Sequence, residues 1–299
     1  IPDENIKNKF KLKDKKNWKL SDARKKVMKD EDWLNSINKI LYRPFDTRWI
    51  FYDDEVIERS RKEVMKHMLK ENLGLTTVRQ VKAGEIWYHC WITDEIIESS
   101  YISNKTSEIN YLFPLYLYSD SGKIPNFSPE FLKFISEKYD RTLTPEEIFY
   151  YIYAILHSPT YRNKYKEFLQ YDFPRIPFVD DYEKFKKLST LGEELVDLHL
   201  IRKKLPIHVK FDIPGSNIVE RVKYENEKVW INKKQYFEGI LQEIWNFYIG
   251  GYQVLDKWLK SRKGRELNSS EVELFLQIVE IIRETIKTMQ KIDMYTNNL

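Results

Sequence analysis

Three groups of residues in this 299-residue chain have types and spacings suited to a polyanionic ligand. One runs Leu41-Tyr42-Arg43-Pro44-Phe45-Asp46-Thr47-Arg48-Trp49 and continues through Arg59-Ser60-Arg61-Lys62 to Lys66-His67. Guanidinium groups pair with phosphate or a guanine edge, and interleaved rings pack or stack. Arg59, Arg61 and Lys62 are the better contact candidates, because cations this close, with only Glu58 and Glu63 nearby, repel one another unless solvated or anion-bound. Arg43 and Arg48 read more simply as partners of Asp46 and of Asp53 or Asp54, pinning a turn with Trp49 in the core.

A second group is Arg79-Gln80-Val81-Lys82, at the end of an apolar, β-branched run. Arg and Gln make bidentate contacts to guanine and adenine edges respectively, and a hairpin tip fits the major groove. Nearby, Ser103-Asn104-Lys105-Thr106-Ser107 is polar and free of acids, with Asn104, Lys105 and Thr106 as hydrogen-bonding candidates;. For 103–107 an ordinary surface loop is an equal alternative, and for 79–82 a solvated hairpin end is the simpler one. The third group, Ile249 to Arg265, opens with Gly250-Gly251, which permits a sharp reversal. It then sets five cations against Asp256 alone;. Lys257, Lys260, Arg262 and Lys263 are candidates for a stripe that follows a phosphate backbone, with a solvated helix end as the alternative.

Catalytic chemistry finds little support. The nine glycines form neither G-x-G-x-x-G nor G-x-x-x-x-G-K-[ST], so no dinucleotide turn or phosphate-cradling loop can be placed;. There is no G-x-S-x-G, no H-E-x-x-H, and no Pro-Pro-aromatic tetrapeptide of the kind adenine methyltransferases present to a flipped base;. Asp3, Asp14 and Lys16 can be forced into a nuclease-like set, but no strand is there to hold them. Cys90 is the only cysteine, which excludes an internal disulfide and a multi-thiolate zinc site;. His67, His89, His157, His199 and His208 are scattered. The expectation is a non-catalytic module with no metal site and no cofactor of its own.

The elements that must position these residues are partly legible. Ser128-Pro129, Thr144-Pro145-Glu146-Glu147 and Ser158-Pro159 have the form of capped helix starts, predicting helices over 128–138, 145–157 and 159–170;. Leu188, Leu191, Leu195 and Leu198 predict another over 181–200. Ser270 with Glu273 predicts the cap of a last amphipathic helix carrying Val272, Phe275, Val279, Ile282, Ile286 and Met289 on one face. Strands are expected at 47–52, 75–79, 86–93 and 111–118, with 75–79 and 86–93 joined by a tight turn at Lys82-Ala83-Gly84;. A second hairpin is expected around Glu225-Asn226-Glu227. Without regular βαβ alternation the fold class is α+β: short strands in mixed sheets, several packed helices and a C-terminal amphipathic helix.

Charge is unevenly placed. Residues 1–30 hold eleven Lys and Arg against five Asp and Glu, leaving 39 basic against 41 acidic residues in the rest. A nucleic-acid partner must therefore be met by local stripes rather than by the bulk field. The lysine-rich lead reads as a solvated linker or a phosphate-tracking arm. With its start at Ile1, it suggests a piece of a longer polypeptide. No run of 18 apolar residues exists, so no membrane partner is expected and a reducing, cytoplasmic setting is the default.

Tyr42-Arg43-Pro44-Phe45-Asp46-Thr47-Arg48-Trp49, Phe113-Pro114-Leu115-Tyr116-Leu117-Tyr118, Tyr151 to Arg162, Phe173-Pro174-Arg175-Ile176-Pro177-Phe178 and Ile249 to Arg265 resemble the C-terminal region of Type ISP restriction-modification enzymes. In that family one polypeptide carries nuclease, helicase-like ATPase, adenine-specific methyltransferase and, last, a target recognition domain. The resemblance implies that this chain is that last domain and that its partners are double-stranded DNA and an upstream methyltransferase domain. S-adenosylmethionine, ATP and Mg would then be cofactors of the parent. It implies a charged helical connector at 1–41 and a recognition domain at 42–299, divided into a strand-rich part (42–120), a helical part (126–202) and a hairpin with helices (206–299). Two other functions remain open from the residues: a protein-interaction scaffold docking the methyltransferase to the motor, and a free-standing RNA-binding module.

Overall fold

The computed structural model describes residues 1–16, 18–81, 86–104 and 109–297, and its N-terminal part is built from several small sheets rather than one. Helices α1 (Asp3–Phe10) and α2 (Leu20–Val27) come first, the latter burying Leu20 and Ala23. A 3-10 turn at Trp33–Ser36 leads into β1 (Ile37–Arg43), which pairs antiparallel with β2 (Asp46–Phe51), so the boundary expected at 41 falls inside a strand. Phe45, in the turn between them, has φ +59°, a conformation that costs a non-glycine residue about 1 kcal/mol;. Its ring is buried edge-on to Trp91, and its carbonyl accepts from Trp258 Nε1 at 3.1 Å, which holds the turn in place. The short α3 (Lys62–Met65) precedes β3 (Gly74–Val78), β4 (Cys90–Thr93), β5 (Ile96–Ile97), β6 (Asn110–Pro114), β7 (Tyr116–Ser119) and β8 (Gly122–Pro125). They form sheets of order β2-β1-β5 and β4-β3-β6 and the hairpin β7-β8.

The tight turn expected at 82–84 lies outside the described residues. β3 and β4 are antiparallel, but their last pair is Thr77 with Cys90. The intervening backbone bonds elsewhere: Val78 pairs with Asn110 of β6, the Val81 amide donates to Gln170 O, and Tyr88 O accepts from Gly250 N. Residues 82–85, including Lys82, lie outside the described residues, as do Lys105 and Thr106 in 105–108. The run 111–118 divides at Leu115, whose amide turns aside to donate to Leu73 O.

The helical part follows its local signals closely. α4 (Pro129–Tyr139), α5 (Pro145–His157) and α6 (Pro159–Lys164) begin at the anticipated caps, 159–170 breaks at Tyr165 into α6 and α7 (Lys166–Tyr171), and α8 (Tyr182–His199) falls within the expected 181–200 with Asp181 as a cap not anticipated. Thr144 and Glu147 form a reciprocal capping box. α5 and α8 approach so closely that a Cβ on Gly192 would lie 1.9 Å from Tyr150 O, so only glycine fits there.

An extended segment then reaches β9 (Lys223–Glu225), β10 (Lys228–Trp230) and β11 (Tyr236–Glu238), a three-stranded meander. Its first turn is Asn226-Glu227 with φ +52° and +59°, the double left-handed geometry whose twist matches a two-residue hairpin;. α9 (Gln242–Trp245) is followed by β12 (Tyr248–Ile249) and β13 (Tyr252–Gln253), which reverse at Gly250-Gly251, and then by α10 (Val254–Lys260) and α11 (Ser269–Thr296). The cap of α11 is Asn268 with Glu271, two residues before the expected Ser270 with Glu273: Asn268 Oδ1 accepts from the Glu271 amide at 2.9 Å and Glu271 accepts from the Asn268 amide, while Glu273 pairs with Lys204.

The chain is α+β, with two apolar clusters rather than one. α4, α5, α8, Cys90 and Ile92 make the first; Phe45, Trp91, β10, α10 and the middle of α11 make the second. β4 separates them by sending alternate side chains to opposite faces. α11 spans both, with Phe275 to Ile282 in one and Ile292 in the other. Buried polar groups on this helix are satisfied: Gln277 bonds both backbone groups of Leu205, and Glu280 accepts from the His208 amide. Among the described residues, no helix is long and apolar enough to cross a membrane.

Where the clusters meet, folding gathers two of the scattered histidines. Trp91 stacks on His199 at 3.8 Å, His199 bonds Tyr153 Oη (2.7 Å) and Thr285 Oγ1 (3.0 Å), and His157 Nδ1 bonds Tyr153 O (2.9 Å). Burial pushes both imidazoles well below their ordinary value; the Arg162 charge adds to this for both, and the neighbouring His157 adds to it for His199. The folded chain therefore keeps them neutral while the unfolded chain protonates them near pH 6.5. Stability present above pH 6.5 should be lost as pH falls below it, by about 1.4 kcal/mol per pH unit for each histidine. Urea unfolding at pH 7.5, 6.5 and 5.5 checks this; a flat profile across that range would show that neither histidine stays neutral on folding.

Candidate nucleic-acid interface

The cationic candidates lie on three parts of the surface. Arg59 and Arg61 sit on the loop after β2, both exposed and both with left-handed backbone, φ +65° and +55°. The loop is held by its own side chains: Tyr52 Oη donates to Ser60 O at 2.6 Å, and Asp54 accepts from Ser60 Oγ at 2.5 Å and Lys62 Nζ at 3.0 Å. These bonds hold the Asp54 carboxyl below its usual range, and Asp54 in turn raises Lys62. The N-terminal segment docks here, through Lys15 to Glu58, Lys26 to Glu55, and Trp18 Nε1 to Glu55 O at 3.0 Å. With Glu58 taken by Lys15, Arg59 and Arg61 have no ion pair among the described residues.

Arg79 and Gln80 are exposed beyond the end of β3, and Arg79 Nε is 3.1 Å from Asp172 Oδ1. The Phe173 amide first, and then Arg79, hold the Asp172 carboxyl down. Behind Asp172 lies a groove of about 480 Å³ bordered by Tyr165, Phe168, Tyr171 and Phe173, with Tyr111 and Phe113 edge-on to Phe173. Asn104 is exposed at the border of the undescribed 105–108 segment.

The third region joins residues far apart in sequence. Asp46, at the start of β2, is buried between Arg48 (2.9 Å) and Arg262 (3.2 Å). Arg262 is itself only 8% exposed, and it also bonds Glu271 Oε1 (3.1 Å) and Trp258 O (3.1 Å), with its guanidinium 3.5 Å from the Trp258 ring centroid. Burial pushes the Glu271 carboxyl up, but the bonds from Arg265, the Asn268 amide and Arg262 prevail and leave it below its usual range. Arg262 is therefore a correction to the expected backbone-contact stripe: it fastens α10 to β2 and α11. The α10 pattern contains the reason, since Arg262 follows Leu255, Trp258 and Leu259 on the buried face of the helix;. Lys260 pairs with Asp256 (2.7 Å), Lys263 is exposed, and Lys257 is half-buried against Tyr252.

Arg43 and Arg48 divide their partners differently from the sequence expectation. Arg48 takes Asp46, but Arg43 reaches across to Glu98 of the β5 region, while Asp53 and Asp54 serve their own loop. Trp49 is not in the core: it is 69% exposed, opposite Lys39, whose Nζ is 5.9 Å from the ring. Strand alternation is the signal that bears on this, since Arg48 and Trp49 must face opposite sides. Lys39 and Trp49 thus add an exposed cation and ring that the reading by charge density passed over. Asp46, Glu98 and Glu271 are all engaged by arginines, a donor set that does not fit Mg or a metal-bound nucleotide;.

Removal of one member of a buried ion pair leaves the other charge uncompensated. Arg262→Ala should therefore destabilise the fold by about 3 kcal/mol, whereas Lys263→Ala should change it by less than about 0.5 kcal/mol. Denaturant unfolding of the two variants side by side tests the separation; equal effects would place Arg262 on the solvated face.

Comparison with known proteins places the chain in a family. The family model described as the Type ISP C-terminal specificity domain matches residues 1–291. No curated protein matches the chain. Among solved structures, a cryo-EM structure of a DrdV–DNA complex is similar with a TM-score of 0.73 at 23% identity, covering 86% of this chain and 28% of that one. LlaBIII, an ATP-dependent Type ISP restriction-modification enzyme bound to DNA, gives 0.69 at 20% identity, over 86% of this chain and 18% of that one. A nuclease-deletion mutant of the Type ISP enzyme LlaGI in complex with a DNA substrate mimic gives 0.65 at 19%, over 86% and 20%. The chain thus spans between 18% and 28% of the length of these structures, which at such identities are evidence of a shared fold. With a family match over nearly its whole length, the chain belongs to the Type ISP C-terminal specificity domains.

Proposed function

We propose that this domain recognises a double-stranded DNA target for a restriction-modification enzyme whose catalytic parts lie elsewhere in the polypeptide. The observation that carries the reading is the match to a specificity-domain family over residues 1–291. It is supported by likeness in fold to enzymes whose structures contain DNA. In this reading the residues before β1 connect to an upstream adenine-specific methyltransferase, and S-adenosylmethionine, ATP and Mg are handled by that and other parts of the parent. An enzyme that flips a base needs a second body to hold register by phosphate contacts and to read base edges in the groove. Arg59, Arg61, Lys257, Lys260 and Lys263 are the proposed phosphate contacts, with Lys62 as a cation shared with Asp54. Arg79, Gln80 and Asn104 are the proposed readers, together with Lys82, Lys105 and Thr106 outside the described residues. Arg79 must release Asp172, an exposed pair that is worth little to the fold;.

Two measurements test this. The purified chain should bind duplex with a sequence preference that persists as salt rises, whereas a scaffold would show only salt-sensitive binding or none, and an RNA module would prefer single-stranded loops. It should transfer no methyl group from S-adenosylmethionine to DNA. For the readers, Arg79→Ala or Gln80→Ala should relax preference at one base pair by about 1 to 3 kcal/mol while leaving binding to unrelated DNA nearly intact. Even loss across all single-base variants of the target, or no change, would remove 79–80 from the reading surface.

A further inference from the structure

The N-terminal segment meets the loop after β2 through that loop's acids. Lys15 and Trp18 are joined by two backbone bonds, Lys15 N to Trp18 O at 2.8 Å and Trp18 N to Lys15 O at 3.2 Å, and Asp14 Oδ1 accepts from the Leu20 amide at 3.1 Å. Both side chains of the joined pair reach the loop: Lys15 pairs with Glu58, and Trp18 Nε1 donates to the Glu55 carbonyl at 3.0 Å. Lys26 of α2 takes the Glu55 carboxylate. Two acids of the loop are thus engaged from outside it.

The loop by itself is not basic. Residues 53–62 carry Asp53, Asp54, Glu55 and Glu58 against Arg59, Arg61 and Lys62. Asp53 accepts from the Glu55 amide at 2.7 Å, and Asp54 takes Lys62. With Glu55 and Glu58 occupied by the segment, Arg59 and Arg61 are exposed and have no ion pair among the described residues. The Glu58 carboxyl is held below its ordinary value first by the bond from Lys15, and then by the charges of Lys15 and of Arg59, its neighbour in the chain. A carboxylate attracts whichever cation stands closest, so Glu58 without Lys15 turns to Arg59.

We propose that Lys15 is a positioning residue for the DNA interface: by occupying Glu58 it keeps Arg59 available to a backbone phosphate, while Trp18 and Lys26 hold the segment on the loop. This rests on the DNA-recognition reading above and deepens it. The lysine-rich lead then acts neither as a solvated linker nor as an arm that tracks phosphates; it sets the charge that the loop presents. The side chains of Lys15 and Glu58 are 62% and 35% exposed, and a pair so open to water contributes little to the fold;. Its consequence lies in which cation meets the DNA. A phosphate contact of this kind holds position and reads no sequence.

The test uses the full-length polypeptide carrying this domain. Each contacted phosphate contributes about 0.9 to the slope of log affinity against log salt. Arg59→Ala should lower the steepness of that slope by about one unit, equally for target and unrelated duplexes, and Lys15→Ala should do the same. Because both changes remove one contact, the double variant should also lose about one unit rather than two. Glu58→Gln alone should leave the slope as it is. Added to Lys15→Ala, it should restore the slope, since no carboxylate then competes for Arg59. Lys15→Arg should keep the slope, and the thermal midpoint of Lys15→Ala should not fall, which separates loss of a contact from loss of the fold. An unchanged slope in Lys15→Ala overturns the proposal. So does a loss that Glu58→Gln fails to reverse, which would make Lys15 itself the phosphate contact. An unchanged slope in Arg59→Ala removes Arg59 from the interface, and the role of Lys15 with it, while leaving DNA recognition intact. Absence of duplex binding by the unmodified polypeptide overturns the recognition reading.

Discussion

The buried contact of Arg262 with Asp46 is the constraint on which the proposed interface depends. It joins groups 216 residues apart and places the β1–β2 hairpin against α10. Two ions taken out of water repay their desolvation only when the geometry is good and the remaining donors and acceptors are met. Here Arg48 completes Asp46, while Glu271, the Trp258 carbonyl and the Trp258 ring complete Arg262. Because Glu271 also closes the capping box of α11, the start of the longest helix is tied to the same node. A rigid junction of this kind lets cations from distant segments face one another at fixed separation.

The consequence for charge is asymmetric. Arginine neutralises the acids at the node, so the cations without an ion pair among the described residues include Lys257 on α10, and Arg59 and Arg61 beside the Glu58 that Lys15 occupies. The basic surface thus arises from pairing rather than from composition, which is nearly balanced after residue 30. That matches the requirement of a DNA-binding module in a larger enzyme, where a global positive field would favour unrelated duplex as much as the target.

The body that supports this surface has two apolar clusters divided by β4, and its rigidity comes from elements that serve both. α11 packs on α8 and on α10, and its far end fixes the start of α6 through Asp293, which accepts from Ser158 Oγ and the Thr160 amide. Trp91 reaches from the second cluster to stack on His199 of α8. Neutral histidines at that join let two cores meet through hydrogen bonds without adding charge beside the buried Arg162, at the expense of stability in acid.

Local signals determined much of the helical part. Proline at the first helical position, a hydroxyl cap and, at Thr144, a returning glutamate act within four residues, so Ser128, Thr144 and Ser158 mark their helices without reference to the rest of the chain. The same holds for the positive-φ pair Asn226-Glu227 and the glycine reversal at 250–251. Strand pairing is a contact between distant segments, and tertiary structure alone decided it: β1 with β5 in parallel, the break at Leu115, and the end of the β3–β4 ladder at Thr77 and Cys90. For the interface, residue types identified which side chains have the chemistry, and the phase of α10 already placed Arg262 with Leu255, Trp258 and Leu259. Which carboxylate each arginine takes, and therefore which cation remains unpaired, follows from distances that only the folded chain possesses, because Coulomb attraction depends on separation in space and not along the sequence.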